Sequence, residues 1–482
     1  MSFLGAGFRA GSETRRKYTG FQKLCLVFLF AIFALPQYFG IPLPGFALTA
    51  QRIMLICLFL AIFASKERRD SFFTSNTGSM GGPAVICSLF IFVSLVTAVL
   101  QSDPKSFLNF FVDAFLPMLL MAYMAVKVFT LKELLGFFKV VLIVVCVTCY
   151  LDALVLHRNP FYFIHTIASI SGGSTWRANS YRVAAMASHP IGLGMYFILM
   201  TPLLCIDCDK RSVNIAKNWG TLLLVCGAVL LTGSRMPQAL FALELLMLFL
   251  LTEKSVKRVI IPYMLVFGAL IVLIVVLFHD ESHIRRYVIL NLYQVIDSIF
   301  GTQLVLDEFG YWQWVYMNSS TDYRDLLPLI LFSDGFDPLL GQGVTSVNTD
   351  NISVTVNGRN IPSVDNFYVL QYMQFAWPGL VSMVGIFVYM AARCLVGTVE
   401  RRSVVCKLLL LSFLLYFVNL WFVADLGTFK YAFTLFGLAY VYSKGMGFSQ
   451  GGALDDEPNS GYVANRYRLS YRSARNRAMC RV

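Results

Sequence analysis

Residues 364–380 read VDNFYVLQYMQFAWPGL, and the organisation of the chain turns on what they close. Behind them lies a stretch of mixed polarity, His279 to Trp377, set between two long apolar runs and carrying arginines and aspartates. It is the one long water-compatible stretch between neighbours made mostly of Leu, Ile, Val and Phe. Aqueous chemistry belongs there, and the flanking chain reads as its scaffold.

Of 482 residues, 57% are hydrophobic and 14% charged, and the mean hydropathy is +0.67. Soluble domains carry about 25% charged residues, so this much apolar surface does not fit inside one aqueous core. A polytopic, all-α integral membrane protein is expected. The formal charge of +12 does not point to nucleic acid, because the basic residues sit in short clusters between apolar runs, as the positive-inside rule requires. Eleven cysteines and five histidines are present. Two cysteine pairs have CxxC spacing, Cys146 with Cys149 and Cys205 with Cys208, but no histidine is close in sequence to either. No metal and no cofactor are expected on those grounds. The polar, basic start MSFLGAGFRAGSETRRKYTGFQK, ahead of a long apolar run, is not expected to be a cleaved signal.

A helix needs about 20 apolar residues to cross a bilayer. Counting runs near that length gives about twelve: 24–41, 47–64, 84–100, 107–126, 135–155, 190–208, 219–232, 236–252, 258–278, 378–396, 404–422 and 427–443. The seventh and eighth meet at a turn marked by Gly233 and Pro237. With the amino terminus inside, the basic connections SKERRD, KVFTLKE, DKRSVNIAKN, EKSVKR and VERRSVVCK all fall on the inner side, as does the tail NRYRLSYRSARNR. The outer side then receives IPLPG, QSDPKS, Leu156 to His189, the Gly233 turn, the 279–377 loop and VADLG. The expected plan is a cytoplasmic segment 1–23, nine spans over 24–278, a large external loop 279–377, three spans over 378–443 and a basic, disordered cytoplasmic tail 444–482. No internal repeat of the kind that builds transporters is visible.

Orientation does not explain a minority of arginines on the outer side: Arg158, Arg177, Arg182 and Arg235, then Arg285, Arg286, Arg324 and Arg359. Guanidinium groups give planar, multidentate bonds to phosphate oxygens at any relevant pH. The plainer reading is that several bind headgroups or pair with Asp280, Glu281, Asp322 and Asp325. Arg182, Arg235 and Arg324 stand out because their surroundings are distinctive. Arg182 precedes His189 by seven residues in YRVAAMASHPIGLGMYF, two turns on one face if helical; Arg235 opens a helix in LLTGSRMPQALFALELL; Arg324 begins DYRDLLPLILFSDGFDPLLGQGV, a candidate amphipathic helix ahead of a glycine-rich turn. Asp365 suits a general base, receiving the proton that a sugar hydroxyl loses on attack. Equally, it or Asn366 suits the N-cap of a helix starting at Phe367. His189 is a second candidate base or a satisfied hydrogen-bonding group. Arg52, Asp113 and Asp152 fall towards the outer leaflet, to pair with one another or to line a cavity under the loop; Lys139 snorkels, and Glu244 near mid-membrane has no account. Tyr311, Trp312, Trp314 and Tyr316 suit either an interfacial aromatic belt or a glycan groove.

Together these phrases resemble the superfamily of bacterial O-antigen polymerases and O-antigen ligases, which includes exopolysaccharide polymerases. The resemblance rests on Arg182 to Gly194, Thr232 to Arg235, Arg324 with Pro338 to Gly343, and Asp365 to Gly379, in that order, over roughly residues 180–395. It implies a GT-C-like, metal-independent glycosyltransferase of the bacterial inner membrane, about twelve transmembrane helices with one large periplasmic loop and both termini cytoplasmic. Its substrates would be undecaprenyl-pyrophosphate-linked glycans, its partners the bilayer, a chain-length regulator and export machinery. Arg182, Arg235 and Arg324 would hold the donor pyrophosphate. Where ligases typically show His-Asn, this chain has Asp365-Asn366, which is closer to Wzy-type polymerases of capsule or exopolysaccharide repeats. Ligation of a finished glycan to lipid A core or protein is the alternative, and a transporter or flippase is the rival from another class.

Overall fold

The computed structural model describes residues 18–43, 46–164, 166–167, 175–177, 180–277, 289–318, 324–333, 335–347, 354–356, 359–361, 363–424 and 427–446. Arg285, Arg286, Asp322 and nearly all of the terminal segments lie outside them. Helices dominate, in the order α1 (Gly20–Phe33), α2 (Ala50–Phe63), α3 (Lys66–Ser79), α4 (Gly81–Leu100), α5 (Pro104–Lys127), α6 (Leu131–Leu156), α7 (Pro190–Cys205), α8 (Trp219–Leu231), α9 (Arg235–Leu251) and α10 (Lys254–Leu277). The polar loop contributes α11 (Leu290–Phe300), α12 (Leu304–Phe309), α13 (Tyr311–Asn318) and a 3-10 segment, Arg324–Phe332, before α14 (Phe367–Val399), α15 (Val404–Phe422) and α16 (Phe429–Ser443). The fold is not strictly all-α. Short antiparallel hairpins occupy connections, pairing β1 (Gly40–Leu43) with β2 (Phe46–Thr49), β3 (Thr175–Arg177) with β4 (Ser180–Arg182), β5 (Ile206–Asp207) with β6 (Ser212–Val213) and β7 (Val354–Val356) with β8 (Arg359–Ile361).

Every apolar run contains helix, the form in which a segment satisfies its own backbone when its surroundings cannot, although the run 24–41 leaves the helix at Phe33 and ends in β1. Local signals set several starts: Thr130 and Glu133 form a reciprocal capping box at α6, and Thr19 with Gln22 does the same at α1. Among the described residues, five helices are long and apolar enough to cross a membrane: α4, α5, α6, α14 and α15, of 20, 24, 26, 33 and 19 residues. Their outward faces expose Val85, Phe92, Val99, Val140 and Val388. That much bare apolar surface fits association with a lipid bilayer and not with water. At the centre, α16 buries every residue from Lys430 to Val441, and it packs so closely on α5 that a Cβ at Gly437 would lie 2.3 Å from the Met118 carbonyl oxygen.

Contacts between connections divide into two sets, one at each end of the bundle. Gln22 donates to the Val128 carbonyl, Arg68 lies over the Phe21 ring, the Ile215 amide donates to Thr252, and Arg393 donates to Ser443. At the opposite end Tyr38 donates to the Ala185 carbonyl, Gln37 to the Gly427 carbonyl, Gln101 to the Gly341 carbonyl, and the Phe367 amide to Val423. The sequence Ser65–Ser79, expected as a short connection, instead forms the polar helix α3, which Phe72 anchors against Tyr123.

Two boundaries differ from expectation. The segment before the tenth span is helical from Phe367, so the loop ends well before Trp377, and Pro378 lies inside α14. The kink is at Ala376, with φ 55° and ψ −166°. Likewise Arg182 to His189 is not helical: β4 gives way to a turn with Ala185 at φ 45°, and α7 starts only at Pro190, where a missing N–H costs nothing.

Candidate functional site

Where the polar loop enters α14, two adjacent residues divide the work. Asn366 Oδ1 accepts from the Tyr368 and Val369 amides at 2.9 and 3.1 Å, so Asn366, and not Asp365, is the N-cap. Asp365 turns to Arg324, 41 residues away in sequence, whose Nη2 donates to its Oδ2 at 3.2 Å. Its other oxygen accepts from Ser363 Oγ at 2.9 Å. A small apolar cluster fixes this geometry: Leu327 and Ile330 of the 3-10 segment pack with Ile361, Val364 and Val369. The pair is half-buried, the side chains 26% and 32% exposed, so its direct contribution to stability is about 1 kcal/mol or less. Arg324 Nε is buried and has no hydrogen-bond partner among the described residues.

Arg182 and the Thr232–Arg235 turn form a second cluster. Arg182 is 5% exposed; its Nε donates to the Thr232 carbonyl at 3.1 Å and its Nη2 to Ser234 Oγ at 2.6 Å. The turn passes under its side chain because Gly233 sits at φ +55°, where a Cβ would come within 3.0 Å of Arg182 Cγ. The Val183 amide adds a bond to the Leu231 carbonyl. Arg235 then opens α9 half-buried, and Pro237 packs on α7 where Gly194 leaves room, a Cβ there lying 2.4 Å from it. His189 caps α7, its Nδ1 accepting from the Ile191 amide at 3.2 Å.

These are two clusters at one end of the bundle, each assembled from segments distant in sequence. A chain of contacts connects them: Ala185, three residues after Arg182, accepts from Tyr38; neighbouring Gln37 reaches Gly427; and Phe429 packs on Phe367, two residues after Asp365, at 5.0 Å between ring centroids.

The Pro338–Gly343 phrase has a structural role that its sequence did not reveal. Pro378 has no N–H to offer the Gln374 carbonyl, and the kink at Ala376 withdraws the Trp377 N–H from Met373. The glycine turn fills both vacancies: the Gln342 amide donates to the Met373 carbonyl at 3.1 Å and the Gly343 amide to Gln374 at 3.0 Å, while the Trp377 amide turns to the Pro338 carbonyl. Asp103 clamps the turn from the other side, accepting from the Thr345 amide and hydroxyl at 2.8 and 2.7 Å and from Ser106 at 2.8 Å. Burial pushes the Asp103 carboxyl up, but the bonds from Thr345, Ser106 and the Lys105 amide outweigh it and hold it below the ordinary value. Asp103 was missed in the sequence, although SDP is a readable helix start with Pro104 at the first position.

Of the other expected residues, Arg52 pairs with Asp113 through two bonds, 3.0 and 2.6 Å, and also donates to Asn109 and the Ala47 carbonyl. Asp152 does not join them and instead accepts from Tyr181 at 2.5 Å. Arg158 lies over the Tyr162 ring. The side chains of Arg177, Arg359 and Tyr316 are outside the described residues. A cavity of about 640 Å³ does lie beneath the glycine turn, lined by Arg52, Asp113, Val344 and Gln374 among others, but not by Arg182, Arg235, Arg324 or Asp365. No protein family matches the chain, and no curated protein matches it at a significant level.

Proposed function

We propose that the chain is a polysaccharide polymerase of a bacterial inner membrane, threaded about twelve times with both termini inside and its polar loop in the periplasm. It transfers a growing glycan from undecaprenyl pyrophosphate to a lipid-linked repeat unit. The observation that carries this reading is the Arg324–Asp365 pair: a guanidinium and a carboxylate drawn together across 41 residues, half-exposed, at the mouth of a long apolar helix. The sorting of connections into two ends, with the basic ones together, supports the threading.

In this reading the acceptor sugar hydroxyl attacks the anomeric carbon of the donor glycan. Its proton passes to the Asp365 carboxylate as the new glycosidic bond forms, and the bond to pyrophosphate breaks with its electron pair leaving on the phosphate oxygen. Arg324 and Arg235 neutralise that growing charge, preorganised donors being worth most where charge develops. Arg182 acts one step back, holding the turn that presents Arg235. The test is incubation of the purified chain with synthetic lipid-linked repeats. A ladder of products is expected from wild type, and none from Arg324→Ala or Arg235→Ala at equal abundance. Normal ladders from both variants would remove the arginines from the site, and substrate movement across vesicles without bond formation would favour a flippase.

A further inference from the structure

The cavity beneath the glycine turn is walled by the β1–β2 hairpin, α2, α5, α14 and α16, and none of the proposed catalytic residues lines it. Its 640 Å³ falls inside the range of about 300–1,000 Å³ typical of small-molecule sites. A proline sets much of its polarity. Pro117 has no N–H for the Asp113 carbonyl four residues back, α5 widens into a π-turn over Phe111–Phe115, and Gln51 Nε2 reaches that carbonyl at 3.5 Å. Turns of this kind recur at functional sites. The Asp113 side chain meets Arg52, whose Nε and Nη2 donate to its two oxygens at 3.0 and 2.6 Å, so the pair brings no net charge. Asp113 is still 26% exposed, with lone pairs open to a further donor. The same guanidinium donates to Asn109 Oδ1 at 3.1 Å, which fixes that amide. Its Nδ2 is left without a partner among the described residues.

On the facing helix α14 a second relay fixes two more amides. Gln371 Nε2 donates to Gln374 Oε1 at 3.4 Å, and Gln374 Nε2 to the Val347 carbonyl at 2.8 Å. Gln371 is 6% exposed, and the relay leaves its Oε1 buried with no hydrogen bond. A buried amide oxygen without a bond is a deficit that a ligand hydroxyl relieves. Phe90, Phe110 and Phe375 supply a continuous apolar wall, their ring centroids 4.6 and 5.2 Å apart. A phosphate or carboxylate would set acceptor against acceptor at Gln371 Oε1 and Asp113. An amine would meet the positive charges of Arg52 and Lys105, which line the same cavity. The ligand that suits both is uncharged, donates and accepts in turn, and carries one apolar face.

We infer that this cavity is a carbohydrate site for a neutral hexopyranose ring. Its hydroxyls donate to Gln371 Oε1 and the Asp113 carboxylate and accept from Asn109 Nδ2, and its apolar face lies against the phenylalanine wall. That the ring belongs to a glycan being extended rests on the polymerase reading above; the hexose site itself does not.

The test uses the full chain in phosphatidylcholine nanodiscs and the methyl α-pyranosides of glucose, galactose and mannose, titrated by saturation-transfer NMR, with methyl glucuronide and glycerol as comparisons. At least one neutral pyranoside is expected to bind saturably and more tightly than either comparison. Gln371→Leu is expected to weaken it about tenfold, the loss of one buried hydrogen bond. Asn109→Ala, at an exposed position, is expected to weaken it at a melting temperature equal to wild type, so that lost binding is not lost folding. An Arg235→Ala/Arg324→Ala background is expected to bind as wild type does. Absence of saturable binding by all three pyranosides, preference for the glucuronide, or unchanged binding in both cavity variants overturns the inference. Binding lost only in the arginine background would also overturn it, and would leave the sugar with the loop. Binding that follows the cavity variants in a chain that makes no product ladder would leave the hexose site standing and the polymerase reading fallen.

Discussion

Asp365 and Asn366 are neighbours with the same backbone propensity, yet their side chains do separate things. Asn366 completes the first turn of α14, and Asp365 meets Arg324. Substitutions should therefore separate stability from chemistry. Asn366→Ala is expected to lower stability by about 1 kcal/mol, the usual worth of a cap, and to leave product length unchanged. Asp365→Asn is expected to keep the melting temperature while abolishing the ladder, since an amide keeps the shape and does not take a proton. An active Asp365→Asn would end the base assignment. Sequence alone left this pair unresolved because Asp and Asn are both good caps, and the choice depends on backbone angles set by Val364 packing into a cluster from three segments. Arg182 was legible as unusual, but its buried bonds to Thr232 and Ser234 were not, for they depend on two loops meeting.

At the scale of elements, the glycine turn and the kink in α14 stabilise each other. A Cβ at Gly341 would stand 2.1 Å from the Gln374 carbonyl oxygen and 2.4 Å from the Phe375 Cα, backbone that cannot move aside. Gly341→Ala is expected to undock the turn at a cost of about 1–3 kcal/mol, seen as a lower melting temperature and faster proteolysis within residues 335–347. Asp103 adds a pH dependence. Its folded carboxyl titrates below the ordinary value of 3.8, so the unfolded chain takes the proton first. The clamp contributes fully above that value and is lost as pH falls through the lower, folded one. Cleavage of the 335–347 stretch by pepsin is expected to rise steeply below about pH 4 in wild type. In Asp103→Asn it should be high throughout, and a flat wild-type profile would count against the clamp. The helices were legible here from their apolar runs. That the helix starting at Phe367 and the span from Pro378 form one element was not, because a proline after a tryptophan reads as a beginning when the carbonyls it strands are satisfied by residues some thirty positions earlier.

Across the whole molecule, the proposed threading puts the basic connections and the polar loop at opposite ends of one helix bundle. What was readable from hydropathy is that the apolar runs are largely helical, five of them among the described residues long enough to cross a membrane; the threading remains part of the proposal. Packing of α16 through the centre was not legible, because a mostly apolar helix looks much the same in sequence whether it faces lipid or protein. The proposed orientation has a direct consequence for labelling. Asp337 is exposed beside the glycine turn, and Glu400 is exposed at the far end of α14. In intact cells with a permeable outer membrane, an impermeant maleimide is expected to label Asp337→Cys and to spare Glu400→Cys until the inner membrane is opened. Both carboxylates are exposed with no ion pair among the described residues; Asp337 accepts from the Leu339 and Leu340 amides, so Asp337→Cys is first compared with wild type for abundance and melting temperature. The native Cys57 is exposed on the flank of α2, where lipid would shield it, and it provides the background control. Labelling of Glu400→Cys from outside would invert the molecule, put Asp365 and the arginines in the cytoplasm, and remove the periplasmic glycan chemistry at a stroke. Equal labelling of both positions would show that the chain does not hold one orientation.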